Sequence, residues 1–321
     1  VPEIPSRLAG KGSLIALLDR PSNIHVTKGL VLMLHGLGGS SQRRGLRRMA
    51  FALLEVGFAV LRLNLRGADP GRALAGGTYS AQCNSDLEPV IKKARELCNL
   101  LSTDDNQNEK SPIPLLGVGI SLGGTILLNA CLELTSLFKS NLVLDGLICI
   151  SSPLSLVECS ASIERSRNSF YQYWLLHRLV RQTLADPFGI SASESNLLNA
   201  RNHFNLRRIN SIRAFDSAIT APRWGFKNVE DYYFRASPIN SLLKSPSHMP
   251  KTFFIQALDD PWVPSACAKK LDDQIKSIDR SSNLRVILTN NGGHNGFHGV
   301  KGCWGDLIVR NLLMKIVDCK D

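Results

Sequence analysis

Short, continuous apolar runs recur along the chain, each bounded by loop-forming residues: Gly29 to Leu34, Phe58 to Leu63, Pro114 to Ile120, Leu142 to Ile150, Thr252 to Leu258 and Leu284 to Thr289. Runs of this kind are expected of strands buried on both faces of a parallel sheet. Between them, apolar residues recur at helical spacing in Arg44 to Val56, Ser85 to Leu101, Leu122 to Leu137, Ser265 to Ser277 and Trp304 to Val317. Strand and helix alternate, which predicts an α/β fold with a mostly parallel, doubly wound sheet.

The alternation stops between Pro153 and Ser237, where polar and aromatic helical stretches such as Phe170 to Leu184 replace the buried strands. The division expected is a core in two parts, 1–152 and 238–321, with a helical cap inserted over 153–237. Ser102 to Ser111 reads as a polar, mobile loop. No internal repeat is visible.

Composition narrows the class without naming it. The chain has 321 residues, 44% hydrophobic and 20% charged, as an ordinary globular protein has. No apolar run approaches the roughly 18 residues that cross a bilayer, and the first ten lack the layout of a signal peptide. The chain begins at Val1 rather than methionine, which leaves a preceding segment or anchor open. Cys83, Cys98, Cys131, Cys149, Cys159, Cys267, Cys303 and Cys319 form no C-x-x-C pair, and several lie in apolar runs. That usage points to reduced, buried thiols and a cytoplasm-like compartment, with no metal site and no cofactor. A net charge of +11 raises nucleic acid, an anionic lipid surface or an acidic substrate as partners. No nucleic-acid-binding motif accompanies it, and a solvated surface is the simpler reading; peripheral membrane contact and oligomeric state stay open.

Gly119-Ile120-Ser121-Leu122-Gly123 is a G-x-S-x-G sequence standing directly after an apolar strand and before an apolar helix. That context is what a nucleophile elbow requires, with glycines where strand and helix must pack closely. A serine hydroxyl needs a base to take its proton and an acid to orient that base. His294, in Asn290-Asn291-Gly292-Gly293-His294, follows one predicted strand, and Asp260 follows another, so both stand at strand carboxyl ends. Asp259 competes with Asp260, but neighbouring residues leaving a strand point differently. Pro261 restrains the backbone of Asp260, which favours it. His298 reads as a surface residue or a support to the site, and His25, His177, His203 and His248 as structural or solvated. The backbone N–H groups of Leu122 and of Leu37, in His35-Gly36-Leu37-Gly38-Gly39, are the expected oxyanion donors. Arg43, Arg44, Arg47 and Arg48 follow that loop closely enough to lie near the site's rim, either steering anions or forming a solvated helix face.

Together these segments resemble the YheT-like α/β-hydrolases, related to eukaryotic abhydrolase-domain lipases and esterases. The resemblance runs from about Gly29 to Cys319. It includes Leu34 to Ser40, Asn64-Leu65-Arg66-Gly67, Ile212-Arg213-Ala214-Phe215-Asp216 with Ile219-Thr220, Gly225-Phe226 with Asp231-Tyr232-Tyr233, Ala257 to Pro261 and Gly292 to Phe297. The block from Phe215 to Tyr233 discriminates best, because other α/β-hydrolases do not share it; Ala68 to Cys83 departs from the family pattern. The resemblance implies an α/β-hydrolase fold, a Ser121, Asp260 and His294 triad, and hydrolysis of small-molecule or lipid carboxylic esters. An acyltransferase would use the same residues. A noncatalytic scaffold and a basic surface-binding protein are the alternatives from other classes.

Overall fold

The computed structural model describes residues 12–22, 27–102, 112–135, 143–200, 209–244, 249–278, 282–300 and 302–318. In chain order the first half comprises β1 (Ala16–Asp19), β2 (Gly29–Leu34), α1 (Arg44–Leu54), β3 (Phe58–Leu63), α2 (Asn84–Leu100), β4 (Leu115–Ile120), α3 (Leu122–Glu133) and β5 (Gly146–Ile150). Helices then follow without a strand: α4 (Leu156–Ile163), α5 (Ser169–Leu184), α6 (Ala192–Asn199) and α7 (Ile212–Phe215). Next come a π-helical turn (Asp216–Thr220), α8 (Ala221–Arg223), α9 (Val229–Arg235) and α10 (Ile239–Lys244). The sheet resumes with β6 (Lys251–Ala257), α11 (Ala266–Ile278) and β7 (Leu284–Thr289), and α12 (Trp304–Asp318) completes the described chain.

These seven strands form one sheet in the order β1-β3-β2-β4-β5-β6-β7, and His298–Gly299 and Gly302–Cys303 pair in a separate two-stranded ribbon. Every neighbouring pair is parallel except β1 with β3. All six residues of β2 and of β3 are buried, since helices cover both faces. On one face Leu46, Met49 and Leu53 of α1 and Val309, Leu313 and Ile316 of α12 pack against Val31, Val60, Val118 and Ile148. The other face buries Leu87 and Ile91 of α2, Ile126 and Leu127 of α3 and Leu271 of α11 against Leu30, Leu32, Leu115 and Leu147.

A third apolar cluster lies among the helices between β5 and β6, built from Ile163, Leu175, Leu179, Leu198, Ile212 and Phe215. In contrast, Val229, Tyr232 and Tyr233 of α9 join the sheet's own core.

Two strand ends and one whole strand stand out against the sequence expectation. The strand expected from Leu142 begins at Gly146: the Asp145 N–H still donates to Leu115 O at 2.8 Å, but the Asp145 carboxylate, not a backbone carbonyl, takes the Leu115 N–H at 2.7 Å and also pairs with Arg95. β6 ends at Ala257, one residue before Leu258 enters the turn. β1 was not anticipated at all. Leu142, residues 103–111 of the expected polar loop, His25, His203, His248 and Cys319 lie outside the described residues. Among the described residues no helix is long and apolar enough to cross a membrane. Cys83, Cys98, Cys131, Cys149, Cys159 and Cys267 are buried, and burial pushes the Cys131 thiol up to about 12.

Candidate active site

β4 ends in the turn that carries Ser121, whose backbone stands at φ 54° and ψ −128°. A non-glycine residue held there is strained, and the packing around it explains how the strain persists. A Cβ on Gly119 would lie 2.3 Å from Gly124 Cα, and one on Gly123 would lie 2.5 Å from Leu34 O, so α3 can close on β4 and β2 only with glycine at both. The Ser121 N–H donates to Ile150 O at 2.8 Å, fixing the turn to the neighbouring strand.

The structure brings Ser121, His294 and Asp260 into one hydrogen-bonded line. Ser121 Oγ lies 3.0 Å from His294 Nε2, and His294 Nδ1 lies 3.0 Å from Asp260 Oδ2. Asp260 Oδ1 accepts the N–H groups of Trp262 at 2.9 Å and Val263 at 3.0 Å, and Gln256 Nε2 donates to Oδ2 at 3.3 Å. Burial alone would push the Asp260 carboxyl up. The hydrogen bond and charge of His294, with the two amides, outweigh that and hold it below the usual carboxylate value. With Asp260 ionised, His294 Nδ1 is the donor toward it, which leaves Nε2 as the acceptor facing Ser121.

Asp259 acts elsewhere, through its Oδ1, which accepts the Gly293 N–H at 2.8 Å. The two adjacent carboxylates therefore hold the loop and the ring separately. His298 is exposed, and His177 is half-buried on α5, 6.3 Å from the Tyr173 ring.

The Leu37 loop lies against the nucleophile, since a Cβ on Gly36 would meet Ser121 Cβ at 3.0 Å. Leu122 opens α3, so helix geometry gives its N–H no partner. Within the Leu37 loop, the Gly39 N–H goes to Gly36 O and the Gly38 N–H to Tyr79 Oη at 2.8 Å. Arg178 and Arg43 both donate to Gly38 O, at 2.8 and 3.2 Å. His35 braces the loop's other end: its Nδ1 lies 2.9 Å from Gly36 O, and its Nε2 accepts the Leu65 N–H at 3.3 Å. Burial, opposed by the Gly36 bond and aided by the charge of Arg43, lowers His35 to about 4, so it stays neutral. Arg48 is not a free charge: its guanidinium pairs with Asp306. Arg44 and Arg47 are exposed.

Two cavities meet at Ser121 and His294. One, of about 930 Å³ including space open to solvent, lies under α4, α5 and α7 and is walled mainly by Leu156, Ile163, Leu175, Leu179, Ile212 and Phe215. The other, of about 1060 Å³ counted the same way, opens past Gly38, Arg43, Trp174 and Asp306. Trp262 stands between them, stacked on Tyr171 at 3.3 Å and with its ring 4.7 Å from that of His294. Tyr79, Arg178, Tyr171 and Asp216 were not singled out from sequence as site residues. Each reaches the site across long separations, and only Asp216 lay in a segment marked by the resemblance.

With this geometry in view, the chain belongs to the alpha/beta hydrolase fold family, whose profile matches residues 29–299. Within it the chain is YheT-like and related to eukaryotic ABHD proteins. It is 30% identical to the esterase-named YheT of Escherichia coli over 199 residues, 60% of this chain and 52% of that protein. It is 27% identical to phospholipase ABHD3 of Homo sapiens over 278 residues, 87% of this chain and 60% of that one. The chain thus spans about 60% of the length of the ABHD3 relatives it matches. In fold it is similar to a soluble variant of monoglyceride lipase from Saccharomyces cerevisiae crystallised with a substrate analogue. That likeness has a TM-score of 0.55 and 18% identity, over 99% of this chain and 95% of that one.

Proposed function

We propose that this chain is a serine hydrolase that cleaves carboxylic esters through an acyl-enzyme. Ser121 Oγ attacks the ester carbonyl carbon while its proton passes to His294 Nε2, and Asp260 stabilises the resulting imidazolium. The carbonyl oxygen becomes an oxyanion held by the N–H groups of Leu37 and Leu122. His294 then gives its proton to the departing alkoxide. The released alcohol leaves an acyl group on Ser121, which water, activated by His294, removes as a carboxylic acid.

The observation that carries this reading is the line Ser121 Oγ, His294, Asp260, with both contacts at 3.0 Å, standing at the junction of two cavities. The largely apolar walls of the cavity under α5 support an apolar acyl chain as its occupant, hence a lipid or medium-chain ester. The open cavity then takes the alcohol part. An acceptor alcohol entering there in place of water would make the same residues an acyltransferase. The helices between β5 and β6 act in this reading as a cap over the two-part core. The esterase, lipase and phospholipase names of the relatives agree with it.

An active-site fluorophosphonate and p-nitrophenyl esters of graded chain length test the proposal. Label should attach to Ser121, and Ser121→Ala should lose both label and turnover. Undiminished labelling or turnover in Ser121→Ala removes the reading.

A further inference from the structure

The cavity under α5 is largely apolar, although Arg66, Thr78, Tyr79 and Gln182 also reach its wall, and the π-helical turn sets Asp216 into that wall beside Ser160, Thr220 and Tyr233. Among its described lining residues Asp216 is the only carboxylate. Asp216 Oδ1 accepts from Thr220 Oγ1 at 2.7 Å, and Oδ2 from Tyr233 Oη at 2.8 Å. Ser160 Oγ lies 3.4 Å from the Tyr233 hydroxyl, whose proton is committed to Asp216. A carboxylate can accept about four hydrogen bonds, so roughly two acceptor sites remain on a half-buried group that lines the cavity.

No cation contacts Asp216 among the described residues. Arg213, one helical turn before, pairs with Glu230 and lies over the Tyr233 ring, 5.5 Å from its centre. Burial pushes the Asp216 carboxyl up to about 6, against the pull of its bonds to Thr220 and Tyr233, so near neutrality it carries charge at a cost. A π turn inserted in a helix is rare and is frequently found at functional sites. A chamber meant only for plain alkyl chains gains nothing from a carboxylate in its wall.

We propose that Asp216 is a specificity subsite that accepts a hydrogen bond from a hydroxyl group carried on the substrate's acyl chain. The inference rests on Ser121 as the nucleophile that places the acyl chain in this cavity. A hydroxyl suits the site better than an ammonium ion, which would have to lose far more hydration to pass the apolar walls.

The test compares p-nitrophenyl alkanoates with their hydroxyalkanoate counterparts, moving the hydroxyl stepwise along the chain. At one position the hydroxyl should raise kcat/KM by about tenfold, chiefly through KM, as a hydrogen bond to a charged group does. Asp216→Leu should reverse that preference toward the unsubstituted chain. Asp216→Asn, which keeps the shape and one acceptor oxygen, should cut it at least about threefold and serves if the leucine variant does not fold. Turnover of all esters without preference at any hydroxyl position, or a preference unchanged in both variants, overturns the subsite while leaving the ester-hydrolase reading standing. A preference for aminoalkanoyl over hydroxyalkanoyl esters overturns the hydroxyl assignment. Absence of turnover for every ester, with no label on Ser121, overturns the hydrolase reading instead.

Discussion

The Tyr79 hydroxyl receives the N–H of Gly38 at 2.8 Å, so a side chain from the segment after β3 holds the bend next to Leu37, against Ser121. Tyr79 is itself buried, with its ring 5.8 Å from that of His35. Burial, despite the Gly38 bond, holds its phenol well above the usual value, so it stays protonated. Tyr79→Phe should therefore leave the fold intact at a cost of about 1 kcal/mol, while loosening the loop that carries the proposed oxyanion donor. Expected is a fall in kcat of roughly tenfold with little change in KM, measured on a simple p-nitrophenyl ester. A change confined to KM would mean that Tyr79 shapes the pocket and not the oxyanion loop.

The parts of this site that the sequence revealed are those written in local signals. Strands buried on both faces leave uninterrupted apolar runs, and a serine squeezed between glycines at a strand-to-helix joint marks its own turn. Asp260 and His294 were legible because each follows the carboxyl end of such a run. Tyr79 carries no local signal: it meets Gly38 across 41 residues, in the very segment that departs from the family pattern. β1 escaped notice because it is only four half-buried residues, and its pairing with β3 depends on a partner far along the chain. The start of β5 was misplaced because apolar Val143 and Leu144 extend the run. Nothing local tells that Asp145 between them and the strand bonds to Leu115.

Asp260 and Asp259 should separate cleanly on mutation. Asp260→Asn keeps the shape but removes the charge that orients and stabilises protonated His294, and should lower kcat by about 10² to 10⁴. Asp259→Ala removes one hydrogen bond to Gly293 at the surface and should cost less than about tenfold. Parallel kcat measurements decide: a larger loss for Asp259→Ala than for Asp260→Asn would exchange their roles.

The arginines after the Leu37 loop divide into held and free charges. Arg48 is paired with Asp306, and Arg43 spends one hydrogen bond on Gly38 O, whereas Arg44 and Arg47 are exposed. Steering of anionic esters into the open cavity would therefore fall mainly to Arg43, Arg44 and Arg47, and salt should weaken it over a Debye length of about 8 to 10 Å. Arg44→Gln with Arg47→Gln should lower kcat/KM for anionic esters severalfold at low salt and leave neutral esters unchanged. Equal behaviour of the two ester classes at every salt concentration would reduce these charges to a solvated helix face.

Asp216 gives stability a pH dependence of unusual sign. Its carboxyl stands at about 6 in the folded chain, raised from 3.8 by burial against the hydrogen bonds of Thr220 and Tyr233. Between those values the folded state binds more protons than the unfolded state, so stability falls as pH rises through the window. Below about 4 both states hold the proton, and above about 6 the loss is complete and constant. At 1.36 kcal/mol per pH unit the loss is at most ~3 kcal/mol, reduced by whatever water reaches the cavity. Asp260 has the opposite sign, its lowered value adding stability that disappears only as pH falls below the ordinary carboxylate range. Asp216→Asn removes the first dependence and keeps the second. The melting temperature of the parent minus that of Asp216→Asn should therefore drop by up to a few degrees between pH 4 and pH 7, at roughly 1.5 °C per kcal/mol for a chain of this size. Two melting curves that stay parallel across that range would mean that Asp216 meets water or a cation in the folded chain, and the basis for its role as a desolvated acceptor would be lost.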